Sequence, residues 1–228
     1  MSELSPLPIE SARDAGRDLR VFRLGGAPAL AAPGQCVMVR AGGQGPAPFA
    51  AASKPGEPFL ELLVKRAPGV AEALWGLKPG DAVHVGPPCT PGYDIASHKD
   101  KDLFLLAAGC GLGPVRSVVR TLLGGPPEYG TVRLYIGVRT PEDLPFAEEY
   151  EGWLRGGIEL YKCFSRFDPS GVPGGDAYRG YVQDVLRSLE QEADFAAACL
   201  CGPPAMEAAA RAALLDMGMP EGNVLRNV

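Results

Sequence analysis

Residues 103–122 read LFLLAAGCGLGPVRSVVRTL and decide how the second half of the chain is expected to fold. The apolar run 103–108 has the length of a buried strand. Three glycines then break the run, and Pro114 follows at a position where a first helical turn has spare N–H groups. A strand that passes through glycines directly into a helix brings backbone N–H groups and the positive end of the helix dipole to one point. That geometry suits a pyrophosphate.

This turn departs from the usual dinucleotide-binding fingerprint in two places. Pro114 replaces the third glycine of the pattern that starts with Gly109 and Gly111, and Arg139 stands where an acidic residue usually closes the second strand. Taken alone, the pattern is consistent with two interpretations, a phosphate site or an ordinary tight turn between a strand and a helix. A second signal is needed to choose between them.

Residues 200–206, LCGPPAM, supply a second turn of the same kind, because they end a small apolar strand and open a helix. In an open α/β sheet, ligands bind at the edge where the carboxyl ends of the strands meet. We therefore expect the two turns to meet at that edge and to hold one nucleotide together. Cys201, at the strand tip, is either a plain core thiol or a residue that faces a cofactor, and its position favours the second interpretation.

The first part of the chain has a different pattern, with short alternating segments separated by proline and glycine. These segments predict strands of a small barrel or sandwich, together with one helix over residues 70–77. The predicted strands are residues 19–24, 36–40, 59–65 and 81–85.

After residue 100, strands alternate with amphipathic helices, which is typical of a parallel sheet with helices on its faces. The predicted strands are residues 103–108, 132–136, 158–164, 195–201 and 224–225, and residues 168–180 are expected to form a loop. The predicted fold is therefore two domains, an antiparallel β-barrel over residues 1–97 and an α/β parallel-sheet nucleotide-binding domain over residues 98–228.

The composition argues against several classes of protein. The 228 residues carry a net charge of -5 without any basic block, which argues against nucleic acid as a partner. No apolar run reaches the roughly 18 residues of a membrane span and no signal peptide is evident, so a cytoplasmic protein without membrane contact is expected. The six cysteines form no C-x-x-C pair, and His84 and His98 stand alone, so no metal site is expected.

In their order along the chain, six segments resemble the ferredoxin-NADP reductase superfamily, in which a flavin-binding barrel precedes a nicotinamide-dinucleotide domain. The segments are Pro33-Gly34-Gln35, Val64-Lys65-Arg66, Leu77-Lys78-Pro79-Gly80-Asp81, Gly109-x-Gly111-x-x-Pro114, Asp143-Leu144-x-Phe146 and Cys201-Gly202-Pro203-Pro204-x-Met206. The resemblance is strongest to the hydrogenase gamma and dihydroorotate dehydrogenase electron-transfer subunits. Because no cysteine-rich tail follows, no iron–sulfur cluster is expected.

The resemblance implies a flavin-dependent NAD(P)H oxidoreductase that passes electrons from a nicotinamide cofactor, NADP or NAD, through FAD to an acceptor or partner protein that the sequence does not identify. It implies a catalytic position beside the nicotinamide for Cys201. The positions implied to bind a cofactor are Phe49, Ser53, Val64, Lys65, Gly69, Val70, Ala71, Gly109, Gly111, Leu112, Gly113, Pro114, Arg139, Ser165, Arg166, Arg179, Tyr181, Gly202, Pro203, Pro204 and Met206.

Three flavin contacts of the family are missing from this chain. Ala47 and Ala50 stand where the family has an arginine and a serine, and Ala71 stands where it has a serine or threonine. Hydrogen bonds to charged groups are worth roughly 1.5 to 3 kcal/mol each, so their loss weakens flavin binding by several kcal/mol. The helix start near Gly69 still offers N–H groups to a pyrophosphate. The alternative is a flavin-free, reductase-like subunit that binds a nucleotide or serves as a scaffold in a larger complex.

The choice of nicotinamide cofactor depends on a second group of residues. In the family, a Ser-Arg pair and a basic-x-Tyr segment surround the 2'-phosphate of NADPH, and this chain has Ser165-Arg166 and Arg179-Gly180-Tyr181. A guanidinium suits a phosphate dianion, so these residues favour NADPH. The alternative is that Arg166 and Arg179 are solvated loop charges in a protein that uses NADH.

Overall fold

Two six-stranded sheets follow one another in this computed structural model, which describes residues 4–170, 176–190 and 192–227. The first sheet is antiparallel and has the strand order β4-β3-β6-β1-β2-β5. Its elements are β1 (Ser5–Asp14), β2 (Leu19–Gly25), β3 (Cys36–Ala41), β4 (Gln44–Ala50), β5 (Phe59–Lys65), the helix α1 (Val70–Trp75) and β6 (Ala82–Pro88). A bridge between Ala51 and Leu62 joins the two ends of this order, so the sheet curls into a barrel.

The barrel interior is filled by alternate residues of its strands, as the period of two requires. Phe22 and Leu24 of β2, and Leu60 and Leu62 of β5, are fully buried. Leu74 of α1 joins the same core, so the helix contributes to the barrel interior. The predicted strands at 19–24, 36–40 and 59–65 correspond to β2, β3 and β5.

Two strands of the barrel were not predicted because proline and glycine interrupt their patterns. Strand β1 holds Pro6 and Pro8 in the part that pairs with β6, whereas the part from Ile9 onward pairs with β2. Ile9 donates its N–H to the carbonyl of Asp81. Because successive N–H groups alternate sides along a strand, the N–H groups that Pro6 and Pro8 lack would point away from β6. The two prolines therefore cost no hydrogen bond of this pair. Strand β4, QGPAPFA, is paired with β3 and is exposed over most of its length.

The second sheet is entirely parallel, with the strand order β10-β9-β8-β7-β11-β12. Its elements are β7 (Asp102–Ala108), α2 (Leu112–Leu123), β8 (Val132–Val138), α3 (Tyr150–Arg155), β9 (Ile158–Phe164), β10 (Asp176–Arg179), α4 (Val182–Leu189), β11 (Ala196–Cys201), α5 (Pro204–Asp216) and β12 (Val224–Arg226). Helices α2 and α3 cover one face, and α4 and α5 cover the other. The predicted fold class, an antiparallel barrel followed by a parallel α/β sheet, is confirmed.

One prediction about the second sheet is wrong. Residues 168–180 were expected to form a loop, but Asp176–Arg179 is a short strand that pairs in parallel with β9. Residues 171–175 of that predicted loop, and Val228 at the end of the predicted second domain, lie outside the described residues. The predicted domain boundary after residue 97 lies in a short 3₁₀ helix, Ile95–His98, between the two sheets.

Helix α2 joins the two halves of the molecule. The fully buried Arg116 donates to the carbonyl of Ala52 at 3.0 Å and to the Glu61 carboxylate at 2.7 Å, both in the barrel half. Ser117 Oγ donates to the carbonyl of Ser53 at 2.7 Å and accepts the N–H of Gly34 at 3.1 Å. These contacts hold the barrel against the start of α2, and one hydrophobic core continues across the junction.

Candidate functional site

The two glycine turns predicted from the sequence lie side by side. Strand β7 pairs directly with β11, and Ala107 stands opposite Cys201 at the carboxyl ends. A Cβ atom at Gly202 would lie 3.2 Å from the Cβ of Ala108. The chain runs from β7 outward through β8, β9 and β10, and then returns to β11 on the other side of β7. The turns therefore meet where the strand order reverses, which is where open α/β sheets bind ligands.

A cavity of about 520 Å³ opens at this edge, between the parallel sheet and the barrel. Its walls come from the carboxyl ends of the sheet strands and from the β1–β2 and β5 region of the barrel. The lining residues are Arg17, Asp18, Leu19, Lys65, Ala108, Gly109, Gly137, Val138, Arg139, Asp143, Cys163, Ser165, Gly180, Tyr181, Val182, Gln183, Pro203, Ala205 and Met206.

Gly109 is the glycine of the first turn that faces this cavity. Its φ is +56°, a left-handed conformation that glycine adopts without strain. No heavy atom lies within 4 Å of the position a Cβ would take, so a ligand can approach the backbone there. The shape of the turn thus fits a phosphate group lying against the main chain.

Gly111 and Gly113 have packing roles instead. A Cβ at Gly111 would collide with the backbone carbonyl of Cys201 and would lie 2.9 Å from the Gly202 nitrogen. A Cβ at Gly113 would lie 3.1 Å from the Cβ of Leu63 in the barrel. One makes room for the neighbouring strand end and the other for the barrel, and the predicted contact of these two glycines with phosphate stays a prediction.

The predicted cofactor-binding residues divide into those that line the cavity and those that do not. The lining ones are Lys65, Gly109, Arg139, Ser165, Tyr181, Pro203 and Met206. Those outside the lining are Phe49, Ser53, Val64, Gly69, Val70, Ala71, Gly111, Leu112, Gly113, Pro114, Arg166, Arg179, Gly202 and Pro204, and Cys201 also lies outside it. Residues 111–114 are buried at the start of α2, whereas Arg166 and Arg179 are exposed.

Ser53 has no surface left for a ligand. It is fully buried, its Oγ accepts the N–H of Glu61 at 3.1 Å, and its carbonyl accepts the Ser117 hydroxyl. The hydroxyl oxygen is thus used within the barrel and the carbonyl oxygen in the junction with α2, and the predicted cofactor contact of Ser53 stays a prediction. Phe49 is half-buried and packs against the barrel core.

The charges around the cavity favour an anionic ligand. Three cationic side chains line it, from Arg17, Lys65 and Arg139, against the two carboxylates of Asp18 and Asp143. Arg17 Nε lies 4.0 Å from the Asp143 carboxylate, a loose contact in a partly exposed position. A cleft lined by an excess of one sign of charge concentrates ligands of the opposite sign.

Cys201 lies at the tip of β11 as an uncharged thiol. Burial, the Glu207 carboxylate and the neighbouring Cys110 and Cys36 raise its pKa to about 12, although a hydrogen bond with Tyr93 acts in the opposite direction. The Tyr93 hydroxyl itself donates to the carbonyl of Leu200 at 2.8 Å. At neutral pH Cys201 is therefore a protonated, half-buried side chain and not a thiolate nucleophile.

This pKa shift predicts a loss of stability at alkaline pH. The unfolded chain ionises Cys201 near the ordinary value of 9.0, whereas the folded chain keeps it protonated up to about 12. Between those values the unfolded state binds fewer protons, so the free energy of unfolding falls as the pH rises, by at most ~1.4 kcal/mol per unit for this thiol. Urea unfolding at about pH 8 and at about pH 10 measures the loss.

Cys201→Ala should lose less stability between these two pH values than the wild type. Cys89→Ala, which removes an exposed thiol, is the matched control and should follow the wild type. An equal loss in the wild type and the Cys201 variant would contradict the assignment of the shift to this residue.

Sequence reasoning missed several residues of the site and of the junction behind it. Arg17 and Asp18 lie in the short connection between β1 and β2, and because β1 was not predicted, nothing indicated that this turn reaches the cavity. Arg116 carried a visible signal, since it lies in the apolar helical pattern of Val115 and Val118. A charged residue at such a position is rarely buried unless it is paired.

None of the helices in the described part of the chain combines the length and the apolar character that a membrane span requires. Among the same residues, no cluster of three or more His, Cys, Asp or Glu side chains is arranged to hold a metal ion.

Comparison with known proteins agrees with the fold. Residues 105–212 match the family described as oxidoreductase NAD-binding domain. Sulfhydrogenase 1 subunit gamma of Pyrococcus furiosus is 30% identical over 197 residues, which are 84% of this chain and 66% of that subunit. The chain thus spans about two thirds of that relative's length.

Two solved structures share the whole two-domain arrangement. The cytochrome P450 reductase of Amycolatopsis has a TM-score of 0.84 and 26% identity, over 100% of this chain and 70% of that one. A ferredoxin NADP+ reductase from Neisseria gonorrhoeae, solved with bound FAD and NADP, has a TM-score of 0.81 and 18% identity, over 99% of this chain and 98% of that one. This chain belongs to the ferredoxin-NADP reductase superfamily.

Proposed function

We propose that this protein is an NAD(P)H oxidoreductase that passes electrons from a nicotinamide dinucleotide through FAD to an acceptor or a partner protein. The observation that carries the proposal is the cavity at the reversal of strand order, lined by both domains and open to the backbone of Gly109. The gamma subunit of a sulfhydrogenase and a cytochrome P450 reductase are among its relatives, which supports a redox partner without identifying it.

The residues of the cavity fit a nicotinamide dinucleotide. Gly109 leaves its backbone accessible to the pyrophosphate, and the Lys65 ammonium reaches the same cavity from the barrel. The Tyr181 ring is 62% exposed and lines the cavity, so it offers a flat apolar face for the adenine base. We propose that Cys201 borders the nicotinamide as a neutral side chain, without taking part in proton transfer.

The fit of FAD depends on backbone groups more than on side chains. Gly69, with φ +89° and no atom within 4 Å of a Cβ position, leaves an open place before α1, and Phe49 offers a half-buried ring. When bound, FAD accepts a hydride and releases electrons to an acceptor. Support for FAD also comes from the Neisseria reductase, which was solved with FAD and NADP.

A second candidate function is a flavin-free, nucleotide-binding subunit of a larger complex. Specific observations favour it. Ser53 is used in the domain junction, Ala71 is buried, and Arg66, the cation closest in sequence to the Gly69 turn, is engaged by Glu72 at 2.8 Å. Few side chains are therefore left in this region to bind a flavin phosphate.

The absorbance spectrum of the purified protein separates the two candidates. Under the proposed function the protein is yellow, or becomes so when FAD is added and excess is removed, and NADPH bleaches the flavin band without oxygen. A colourless protein that binds NADPH but retains no FAD would support the flavin-free subunit. A protein that binds neither would contradict both.

The proposed preference for NADPH gives a prediction about Arg139. This exposed arginine lines the cavity at the end of β8, where NADH-binding sheets usually carry an acid. We expect Arg139→Glu to weaken NADPH binding about tenfold, equivalent to ~1.4 kcal/mol, and to leave NADH binding nearly unchanged. Isothermal titration with both nucleotides measures the effect.

Lys78→Glu provides the matched control for Arg139, because Lys78 is an exposed cation of the barrel half that lies outside the cavity lining. It should change the affinity for NADPH much less. If both substitutions weaken NADPH binding equally, the preference comes from the general charge of the surface. If neither substitution changes NADPH binding, the preference for NADPH is contradicted.

The state of the cysteines supports the proposed cytoplasmic location. All six are free thiols, including the exposed Cys89. Exposed thiols persist in reducing compartments, whereas oxidising compartments favour disulfides.

A further inference from the structure

Cys36 begins strand β3, and Cys89 directly follows the neighbouring strand β6. Val37 of β3 is paired with Pro88 of β6 in antiparallel register, and Cys36 precedes the one while Cys89 follows the other. The Cys89 N–H donates to the Cys36 carbonyl at 2.8 Å, and the Cys89 thiol lies 3.3 Å from the same oxygen. The two thiols are therefore held on adjacent backbones by a ladder hydrogen bond.

The spacing of such a pair suits a disulfide. Residues on facing backbones of an antiparallel pair have Cα atoms about 4.5 to 5.5 Å apart, and disulfides span about 4.4 to 6.8 Å between Cα atoms. None of the other four cysteines shares this arrangement. Cys163 and Cys199 are buried in the parallel sheet, and Cys110 and Cys201 lie on the two glycine turns.

The two thiols differ in access, which gives them different chemical roles. Cys89 is exposed, whereas Cys36 is half-buried, and burial raises the pKa of the Cys36 thiol. An accessible thiol is the one that attacks an incoming disulfide, and a neighbouring shielded thiol resolves the mixed disulfide.

A second cavity has Cys89 in its wall. It has a volume of about 280 Å³ on the outside of the barrel, and its walls include Cys89, Arg40, Met38 and Leu4. Arg40 is exposed, and among the residues that the structure describes no carboxylate lies within 4 Å of its guanidinium. A thiol beside an arginine in a mostly apolar groove suits a small disulfide that carries carboxylates.

We propose that Cys36 and Cys89 form a thiol pair that reduces small anionic disulfides of the glutathione type. The Cys89 thiolate attacks one sulfur of the disulfide, forms a mixed disulfide and releases one thiolate, which takes a proton from water. Cys36 then loses its proton to solvent, attacks the Cys89 sulfur and releases the second thiol. The two protein thiols are oxidised by two electrons to one disulfide, and the small disulfide is reduced to two thiols.

The test treats the full-length, reduced protein with oxidised glutathione and identifies the products by peptide mass spectrometry. We expect a disulfide between the peptides of Cys36 and Cys89. Cys36→Ser should accumulate one glutathione on Cys89, because the resolving thiol is gone, whereas Cys89→Ser should react at least tenfold more slowly. Cys163→Ser, which removes a buried thiol of strand β9 in the parallel sheet, is the matched control and should form the disulfide at the wild-type rate.

The role of Arg40 is tested with two probes. Arg40→Gln should slow the reaction with oxidised glutathione severalfold but leave the reaction with the uncharged hydroxyethyl disulfide unchanged. Oxidation that joins any other pair of cysteines, or a wild-type protein that keeps all its thiols, would overturn the proposal. Equal slowing with both probes would overturn its anionic specificity. None of these results depends on a nicotinamide or flavin, so they leave the proposed oxidoreductase function unaffected.

Discussion

Gly111→Ala is expected to lower the free energy of unfolding by about 3 kcal/mol or more, and to weaken nucleotide binding with it. The added methyl group would meet the Cys201 carbonyl well inside van der Waals contact and the Gly202 nitrogen at 2.9 Å. Both neighbours are backbone atoms of the β11 strand end, so no side chain can rotate away. The β7 and β11 ends would have to separate, and the cavity edge would widen.

Urea unfolding and titration with NADPH measure the two effects on the same protein. Gly152→Ala is the matched control, because Gly152 lies in helix α3 with no atom within 4 Å of a Cβ position. In a helix that change stabilises by roughly 0.5 to 1 kcal/mol. A Gly111 variant as stable as the wild type would show that the two strand ends are not in the close contact described here.

Gly109→Ala distinguishes packing from ligand approach within the same turn. No atom lies near the Cβ position of Gly109, so only the left-handed φ of +56° costs stability, about 1 to 2 kcal/mol. Its larger effect is expected on the affinity for NADPH, because the methyl group points into the open cavity. Gly111→Ala is thus expected to lower mainly the stability, and Gly109→Ala mainly the affinity for NADPH.

Sequence patterns predict most of the parallel sheet because its strands are covered on both faces. A buried strand reads as a continuous apolar run, and the predicted strand 158–164 coincides with β9. Strands β1 and β4 lack such a run, since each contains two prolines and is largely exposed. Their place in the barrel is set by hydrogen bonds to distant strands, which a local pattern does not reveal.

Only part of the candidate site, too, could be predicted from the sequence. The meeting of the two turns could be predicted, because parallel strands place all their carboxyl ends at one edge. The different roles of Gly109 and Gly111 could not, since the two residues look alike in sequence and differ only in which distant atoms they face. The side chains that the barrel contributes to the cavity, such as Arg17, depend on how the domains are joined, and that junction is formed by α2.

Arg116→Met is expected to destabilise the protein by about 3 to 5 kcal/mol, the cost of breaking a buried ion pair on one side. The side chain of Arg116 is 2% exposed, and its two partners Glu61 and Glu149 are 11% and 22% exposed. Burial lowers the pKa of Arg116, but hydrogen bonds and charge from Glu149 and Glu61 outweigh it and leave the net pKa raised. The arginine therefore stays charged, and its removal takes from Glu149 its ion-pair partner and leaves Glu61 with the 3.9 Å contact to Arg120.

Arg155→Met is the matched control, since Arg155 is 74% exposed and pairs with Glu151 on the surface of α3. Exposed pairs contribute about 0.2 to 1 kcal/mol, so its loss should be small. Urea unfolding compares the two variants directly. The triple variant Arg116→Met, Glu61→Gln, Glu149→Gln should recover part of the stability, because no uncompensated charge is left.

The contacts of Arg116 also predict how the protein unfolds. Arg116 connects α2 to the barrel through Ala52 and Glu61, and to the segment before α3 through Glu149, while its guanidinium lies 4.3 Å from the centre of the Phe146 ring. Without it, the barrel and the parallel sheet lose the buried ion pairs that connect them, so we expect two separate unfolding transitions where one is expected for the wild type. NADPH should then raise the midpoint of only one transition, because the mouth of the cavity no longer joins the two domains. A single, slightly shifted transition would instead mean that the apolar core across the junction is sufficient to couple them.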